Sequence, residues 1–154
     1  MLSLASSPGD PFSRSRFDPG HFTVSAFVLS PEGSSLLMIF HAKLERWLQP
    51  GGHVEPSDTS LRAAARREVV EETGLRDEAF VDELETAFDL DIHAIPRNAT
   101  EPAHLHHDLR FLFRVGSMPA SNPGNRHDVR WVGLDEAGAL NPEPAMTRIL
   151  KKLA

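Results

Sequence analysis

The chain contains no cysteine, and this absence removes several kinds of chemistry at once. Disulfide bonds, thiolate nucleophiles and cysteine zinc sites are all excluded. Long apolar runs are also missing, since no stretch approaches the roughly 20 residues that a membrane-spanning helix needs. Positive charge is scarce, because 16 Lys and Arg stand against 22 Asp and Glu and give a net charge of −6. We therefore expect no membrane partner and no nucleic acid polymer, which would require a basic surface to displace counterions.

The composition is that of an ordinary globular protein, with 40% apolar and 25% charged residues in a chain of 154. This length predicts one domain that can bury most of its apolar surface unaided. Residues 1–20 are rich in Ser, Pro, Gly and Asp and are predicted to form an irregular lead-in, followed by a single domain over 21–154. The N-terminal residues make a poor signal peptide, so we expect a cytoplasmic protein.

Apolar periodicity predicts strands, then a helix, then further strands and a second helix. This order is typical of an α/β (α+β) sandwich built around a mixed sheet. The first helix carries a four-residue apolar repeat at Leu61, Ala65 and Val69, and Gly74 suits its C-terminal end. The predicted strands cover 22–29, 35–41, 47–49, one or two stretches within 81–95, 105–115 and 128–132, and the second helix covers 142–153.

Three carboxylates fall within five residues of the first predicted helix, at Glu68, Glu71 and Glu72. Because helical residues three and four positions apart are neighbours, these side chains crowd one side of the helix. Like charges at that spacing cost about 0.2–0.5 kcal/mol per pair. Clustered carboxylates suit a hard divalent cation, which indicates magnesium-dependent chemistry on a phosphate-rich substrate. The alternative is a solvated acidic face that pairs partly with arginines of the same helix.

The segment around this helix resembles the signature of the Nudix hydrolases: a glycine, five residues, a glutamate, seven residues, then Arg-Glu-apolar-any-Glu-Glu-any-Gly-apolar. Residues 67–75 meet the second half in full, as Arg-Glu-Val-Val-Glu-Glu-Thr-Gly-Leu. Counted from Gly52, the first half departs twice, because the acidic position holds Asp58 and eight residues rather than seven separate it from Arg67. We expect the extra residue to be absorbed at the helix entrance, leaving the helix unbroken from Leu61 onward.

The resemblance implies a Nudix-like α/β/α sandwich, with a mixed, partly rolled sheet between helices. It implies a Mg²⁺-dependent pyrophosphohydrolase, with Mn²⁺ as a substitute, in which water attacks phosphorus and cleaves a diphosphate linkage. The expected substrate is a small-molecule nucleoside diphosphate derivative: a nucleotide, a nucleotide sugar or a dinucleoside polyphosphate. A homodimer is left open. The implied metal ligands are Glu68, Glu71, Glu72 and the main-chain carbonyl of Gly51, and Arg67 completes the catalytic group by bracing the glutamates.

The carboxylate that accepts the proton from water stays open at this point. Inside the motif, Glu68 and Glu71 are the candidates. Outside it, four acids on later segments qualify as well: Asp89, Asp91, Glu101 and Asp108.

A polar strand face at His104, His106, Asp108 and Arg110 is a second candidate region. One interpretation is an exposed face of an edge strand. The other is a substrate pocket wall, with Arg110 on a phosphate and His106 and Asp108 beside it. His53, directly after the glycines, is a further candidate substrate contact. A zinc site on this strand is the weaker hypothesis, because the sequence shows no ligand from another element.

Two alternatives to the hydrolase have to be weighed. A Nudix-fold domain could bind or sense a nucleotide without cleaving it, but a sensor need not keep every metal carboxylate. A prenyl diphosphate isomerase shares the fold but usually needs a cysteine, which this chain lacks. The sequence therefore favours the enzyme that cleaves a diphosphate.

Overall fold

The computed structural model describes residues 1–83, 86–118 and 127–154, apart from the side chains of residues 82 and 83. None of the helices in these ranges combines the length and the apolar character needed to cross a membrane. The helices are α1 (Leu2–Ala5), α2 (Leu61–Thr73), α3 (Leu134–Leu140) and α4 (Pro144–Leu153). The strands are β1 (His21–Leu29), β2 (Ser35–His41), β3 (Arg46–Leu48), β4 (Gly51–His53), β5 (Phe80–Glu83), β6 (Asp89–Ile95), β7 (His104–Val115) and β8 (Asp128–Gly133).

The centre of the sheet is the parallel pair of β1 and β7, which runs in register from His21 opposite His106 to Leu29 opposite Arg114. Every other pairing among the described strands is antiparallel: β4 and β2 pair with β1, β5 and β6 with β7, and β3 and β8 with β2. The sheet is therefore mixed. Since side chains alternate across a strand, each residue of β1 shares a face with its partner on β7.

Helices cover both faces of this sheet. On one face, α2 packs Ala64, Ala65 and Val69 against apolar residues of β1 and β7, including Phe111 and Phe113. On the other face, α3 and α4 pack with apolar residues of β1 and β2 in a second core cluster: Ala137, Met146 and Ile149 with Phe27, Leu29, Leu36 and Met38. The α/β/α sandwich expected from the sequence is confirmed.

Helix α2 has well-defined caps at both ends. The Ser60 Oγ accepts a hydrogen bond from the Ala63 N–H at 3.0 Å, and Ser60 itself is extended. Gly74 ends the helix in the left-handed conformation at φ 70°, which glycine adopts without steric cost, and its N–H donates to the Val70 carbonyl. The helix runs without a break from Leu61 to Thr73. The expectation that the extra residue is absorbed before the helix is confirmed.

Three elements were missed in the sequence. One is the short helix α1, which lies within the lead-in predicted to be irregular and buries Leu4 completely. The Gly-Gly-His stretch is a strand, β4, because it lies antiparallel beside β1, although two glycines predict a turn. Helix α3 is short and begins without a side-chain cap, so its own residues give little helical signal. Tertiary packing stabilises this helix instead, since Ala137 is fully buried beside α4. The predicted C-terminal helix begins at Pro144 rather than at 142.

Candidate active site

The carboxylates of α2 lie directly against the glycines of β4. The Gly51 N–H donates a hydrogen bond to Glu72 Oε2 at 3.0 Å. A Cβ on Gly52 would fall 2.5–2.7 Å from the carboxylate atoms of Glu68. Glycine is therefore required at position 52 if Glu68 is to keep this place, since Gly52 supplies the room that the carboxylate occupies.

Arg67 is the brace of this arrangement. Its guanidinium binds Asp58 through two hydrogen bonds of 3.0 Å, one to each carboxylate oxygen. It also donates to Glu68 Oε1 at 3.0 Å, to Glu71 Oε2 at 3.3 Å and to the main-chain carbonyl of His53 at 2.9 Å. One side chain thus ties the loop before α2, the acidic face of α2 and strand β4 together. The family's glutamate is replaced by Asp58, which still reaches Arg67 as a bidentate partner.

Burial and like charge dominate the electrostatics of the acidic face. The side chains of Glu68 and Glu72 are 14% and 10% exposed, whereas that of Glu71 is 56% exposed. Burial raises the pKa of Glu68 above its ordinary value, and the charges of Glu72 and Glu71 raise it further, against the lowering effect of Arg67. Clustered carboxylate oxygens suit Mg²⁺ or Mn²⁺, and a divalent cation would relieve this repulsion. The residues present therefore fit the metal that the sequence predicts.

His127 is a neighbour of this group that the sequence analysis did not select. Its Nε2 lies 3.4 Å from Glu72 Oε1, and its ring stacks at 5.9 Å on that of His41. His127 directly precedes β8, far from the motif in sequence. No local pattern could have identified it, because only the pairing of β8 with β2 brings it near α2.

Asp108 and Arg110 are buried on the face of the sheet opposite α2. Asp108 accepts hydrogen bonds from the hydroxyls of Thr23 and Ser25 on β1, at 3.1 and 2.7 Å. Arg110 donates to Asp108 at 2.9 Å and to Asp91 on β6 at 2.9 Å. Asp89 lies 3.7 Å from the same guanidinium, so the group predicted to bind a phosphate already has three carboxylate partners. Thr23 and Ser25 were missed, although their alternation with apolar residues in β1 is visible in the sequence.

Most of the candidate proton acceptors outside the motif are already bound by cationic side chains. Asp89 is 5% exposed and accepts hydrogen bonds from Arg148 and Lys152 of α4. Burial raises the pKa of Asp89, but the hydrogen bonds from Arg148 and Lys152 outweigh it and leave the pKa below its ordinary value. Asp91 is likewise bound by Arg148 and Arg110. With its pKa lowered in this way, Asp89 is a weaker base than a free carboxylate.

The two histidines selected from the sequence belong to a larger group. His53 and His106 lie on the same sheet face as His21 and His104, with His53 Nε2 3.1 Å from His21 Nε2 and His104 Nε2 3.2 Å from His106 Nε2. Burial, reinforced by neighbouring positive groups, lowers the pKa of His53 to about 4 and that of His106 to about 3. Both rings are therefore neutral at neutral pH. His21 was missed because it begins β1, where only the parallel pairing places it opposite His106.

The comparison with known families agrees with the motif and the fold. The chain matches the NUDIX domain over residues 19–153. It therefore belongs to the Nudix family, and the expected enzyme class, a pyrophosphohydrolase, is confirmed. The chain has no match among curated proteins by sequence.

Solved structures with the same fold come from several organisms. A C. elegans Ap4A hydrolase in a binary complex superposes with a TM-score of 0.64 at 18% identity, covering 85% of this chain and 93% of that one. The E. coli dihydroneopterin triphosphate pyrophosphohydrolase gives a TM-score of 0.64 at 15% identity, with coverage of 85% and 92%. A NUDIX family hydrolase from Clostridium perfringens gives 0.63 at 18% identity, with coverage of 86% and 95%. At these identities the likeness concerns the fold.

Proposed function

We propose that this enzyme hydrolyses a diphosphate linkage in a nucleoside diphosphate derivative, in a reaction that depends on Mg²⁺ or Mn²⁺. The observation that carries the proposal is the contact between the α2 carboxylates and the Gly51–Gly52 backbone. Glu68, Glu71 and Glu72, with the carbonyl of Gly51, would hold the metal. When bound, the metal supplies charge neutralisation at the phosphate oxygens and a lowered pKa for attacking water.

The chain's own residues have distinct tasks in this proposal. Arg67 holds Glu68 and Glu71 in place through its fixed planar donors, while Asp58 holds Arg67. A carboxylate of the acidic face takes the proton from the attacking water, and we assign this task to Glu68 or Glu71. Burial of Glu68 and Glu72 limits access of bulk water to their oxygens, which strengthens electrostatic interactions there.

The polar sheet face is proposed as the wall that binds the substrate. His53 of β4 and His106 of β7 share this face with ring centroids 5.4 Å apart, and their neutral rings can donate or accept hydrogen bonds. Asp108 and Arg110 continue the same face towards α4. Because Arg110 is paired with Asp108 and Asp91, we expect it to contact a phosphate only as part of this ion-pair group.

The proposal is tested by a screen for released phosphate or pyrophosphate with and without Mg²⁺. The panel should contain nucleoside triphosphates, nucleotide sugars, dinucleoside polyphosphates such as Ap4A, and dihydroneopterin triphosphate. We expect turnover of at least one compound that EDTA abolishes and Mg²⁺ restores. Tight binding of a nucleotide without turnover under every metal condition would instead establish a binding or sensing domain.

The proton acceptor is identified by comparing Glu68→Gln with Glu71→Gln on the best substrate. Loss of the base should remove the rise of kcat with pH on the acidic side of the profile. Loss of a metal ligand should instead raise the Mg²⁺ concentration needed for half-maximal rate. If neither variant changes either quantity, the assignment of the base to the acidic face is wrong.

A further inference from the structure

Five histidines from four strands meet at one end of the sheet, apart from the carboxylates of α2. They are His21 of β1, His53 of β4, His93 of β6, and His104 and His106 of β7. One ring nitrogen from each of His21, His104 and His106 lies within 4.8 Å of the other two. The parallel pairing of β1 with β7 supplies the ligands from another element that the sequence could not show.

Main-chain carbonyls fix the orientation of two of these rings. His21 Nδ1 lies 2.9 Å from the Arg16 carbonyl, and His104 Nδ1 lies 2.8 Å from the Pro102 carbonyl. A carbonyl can only accept, so both Nδ1 atoms carry the proton, and both Nε2 atoms present a lone pair. Histidines that bind a metal usually hold their second nitrogen by this kind of contact.

Two spacings among these nitrogens are close to those of a tetrahedral site. Metal–nitrogen distances of about 2.0–2.1 Å place the nitrogens of a tetrahedron about 3.3 Å apart. The Nε2 pairs of His21 with His53 and of His104 with His106 are separated by 3.1 and 3.2 Å. His53 lies outside the group of three whose nitrogens are all within 4.8 Å of one another, so its ring has to turn towards the ion to become a ligand. His21 and His104 are 1% and 6% exposed, while His53 and His106 are only partly buried and leave the cluster reachable from solvent.

We propose that His21, His104 and His106 form a transition-metal site for Zn²⁺, with His53 as its fourth ligand. A set of neutral imidazoles suits zinc and offers nothing to magnesium, which prefers oxygen. Four protein ligands leave no open position, so the ion is structural rather than catalytic, and His53 and His106 would then serve as metal ligands in place of the substrate contacts proposed above. It joins β4 to β1 and β7, and thereby holds the strand that carries Gly51 and Gly52.

This site is separate from the proposed magnesium site, although the two are close. His53 follows Gly51 by two residues, which is about 7 Å along an extended strand. The donor sets share no side chain, since one is all imidazole and the other all carboxylate and carbonyl. Zinc binding can therefore be measured whether or not the hydrolase proposal holds.

The test is a zinc titration of the metal-free protein by calorimetry or a competing chromophoric chelator, in millimolar Mg²⁺ that loads the carboxylates. Three further proteins are compared with the wild type. His104→Gln removes one imidazole ligand, Glu72→Gln disrupts the carboxylate set, and His41→Gln removes a histidine outside the cluster. Melting temperatures with EDTA show whether each variant is folded before its zinc affinity is judged.

We expect one equivalent of Zn²⁺ to bind the wild type, Glu72→Gln and His41→Gln with similar affinity, and His104→Gln at least tenfold more weakly. Free zinc at about 100 times Kd should raise Tm by roughly 5–10 °C, but not in His104→Gln. Co²⁺ in place of zinc should show the intense visible bands of a tetrahedral centre. No zinc binding, or binding lost in Glu72→Gln and kept in His104→Gln, would overturn the proposal and leave a metal-free imidazole network. If His104→Gln is unfolded in EDTA, His106→Gln replaces it under the same criteria.

Discussion

Replacement of Glu72 by glutamine tests the metal assignment most directly, because it removes a charge and little else. Glutamine has nearly the same shape, and its amide oxygen can still accept the Gly51 N–H that now donates to Glu72 at 3.0 Å. The variant also removes one of the charges that raise the pKa of Glu68. We therefore expect the Tm of the metal-free protein to stay within about 3 °C of the wild type, or to rise.

The expected loss of rate follows from the electrostatic attraction between the metal ion and the Glu72 carboxylate, which the variant removes. At an effective dielectric constant of about 20, two unit charges about 4 Å apart attract each other by about 4 kcal/mol, and a divalent ion loses at least this much when the carboxylate charge is removed. At about 1.4 kcal/mol for each tenfold change, this predicts a fall in kcat/KM of at least about 1,000-fold. The side chain is only 10% exposed, so little solvent screening reduces this figure.

The assay is steady-state phosphate release over a range of Mg²⁺ concentrations, on the best substrate of the screen. Glu55→Gln makes the same chemical change at an exposed position outside the acidic face and should keep wild-type kinetics. Near-wild-type turnover of Glu72→Gln at saturating Mg²⁺ would falsify the metal-site assignment. A large loss of Tm in the variant would instead show that Glu72 acts mainly by holding β4 to α2.

Three further changes probe the supports of the site. Gly52→Ala places a methyl group against the Glu68 carboxylate, so we expect kcat to fall at least tenfold while Tm changes little, because the far end of a flexible side chain can move. Asp58→Asn removes the bidentate partner of Arg67 and should cost about 2 kcal/mol of unfolding free energy at pH 7. Since Arg67 holds the pKa of Asp58 below its ordinary value, that stabilisation is present at neutral pH and lost as the pH falls through the folded-state pKa, so the two melting curves should converge in acid. Arg110→Ala should lower kcat/KM about tenfold or more and also lower Tm.

Each of these changes has a control that separates chemistry from folding. A Cβ on Gly51 meets the Val24 carbonyl and Ser25 at 2.6 Å, so Gly51→Ala should lower Tm by overpacking, unlike Gly52→Ala. If Asp58→Asn melts at the same temperature as the wild type at pH 7, the Asp58–Arg67 pair does not stabilise the fold. If Arg110→Ala keeps the wild-type kcat/KM, measured well below its Tm, then the polar face does not bind substrate and its role is structural.

The sequence carried the information for helix α2 and its acidic face because their determinants are local. The order of residues 67–75, the glycine that ends the helix and the spacing of the three glutamates all lie within a single segment, and helical geometry converts spacing directly into a shared face. For the same reason the unbroken course of α2, despite one extra residue before it, could be predicted. The sandwich architecture followed from the order of strands and helices.

The partners of these residues were decided only by the tertiary structure. Strand β4 forms because it pairs with β1, whereas the two glycines by themselves predict a turn. The buried pairing of Asp108 and Arg110 with Thr23, Ser25 and Asp91 depends on the register of three strands distant in sequence. The histidine cluster depends likewise on the parallel pairing of β1 with β7, because side-chain periodicity within one strand cannot specify which residues of another strand lie opposite.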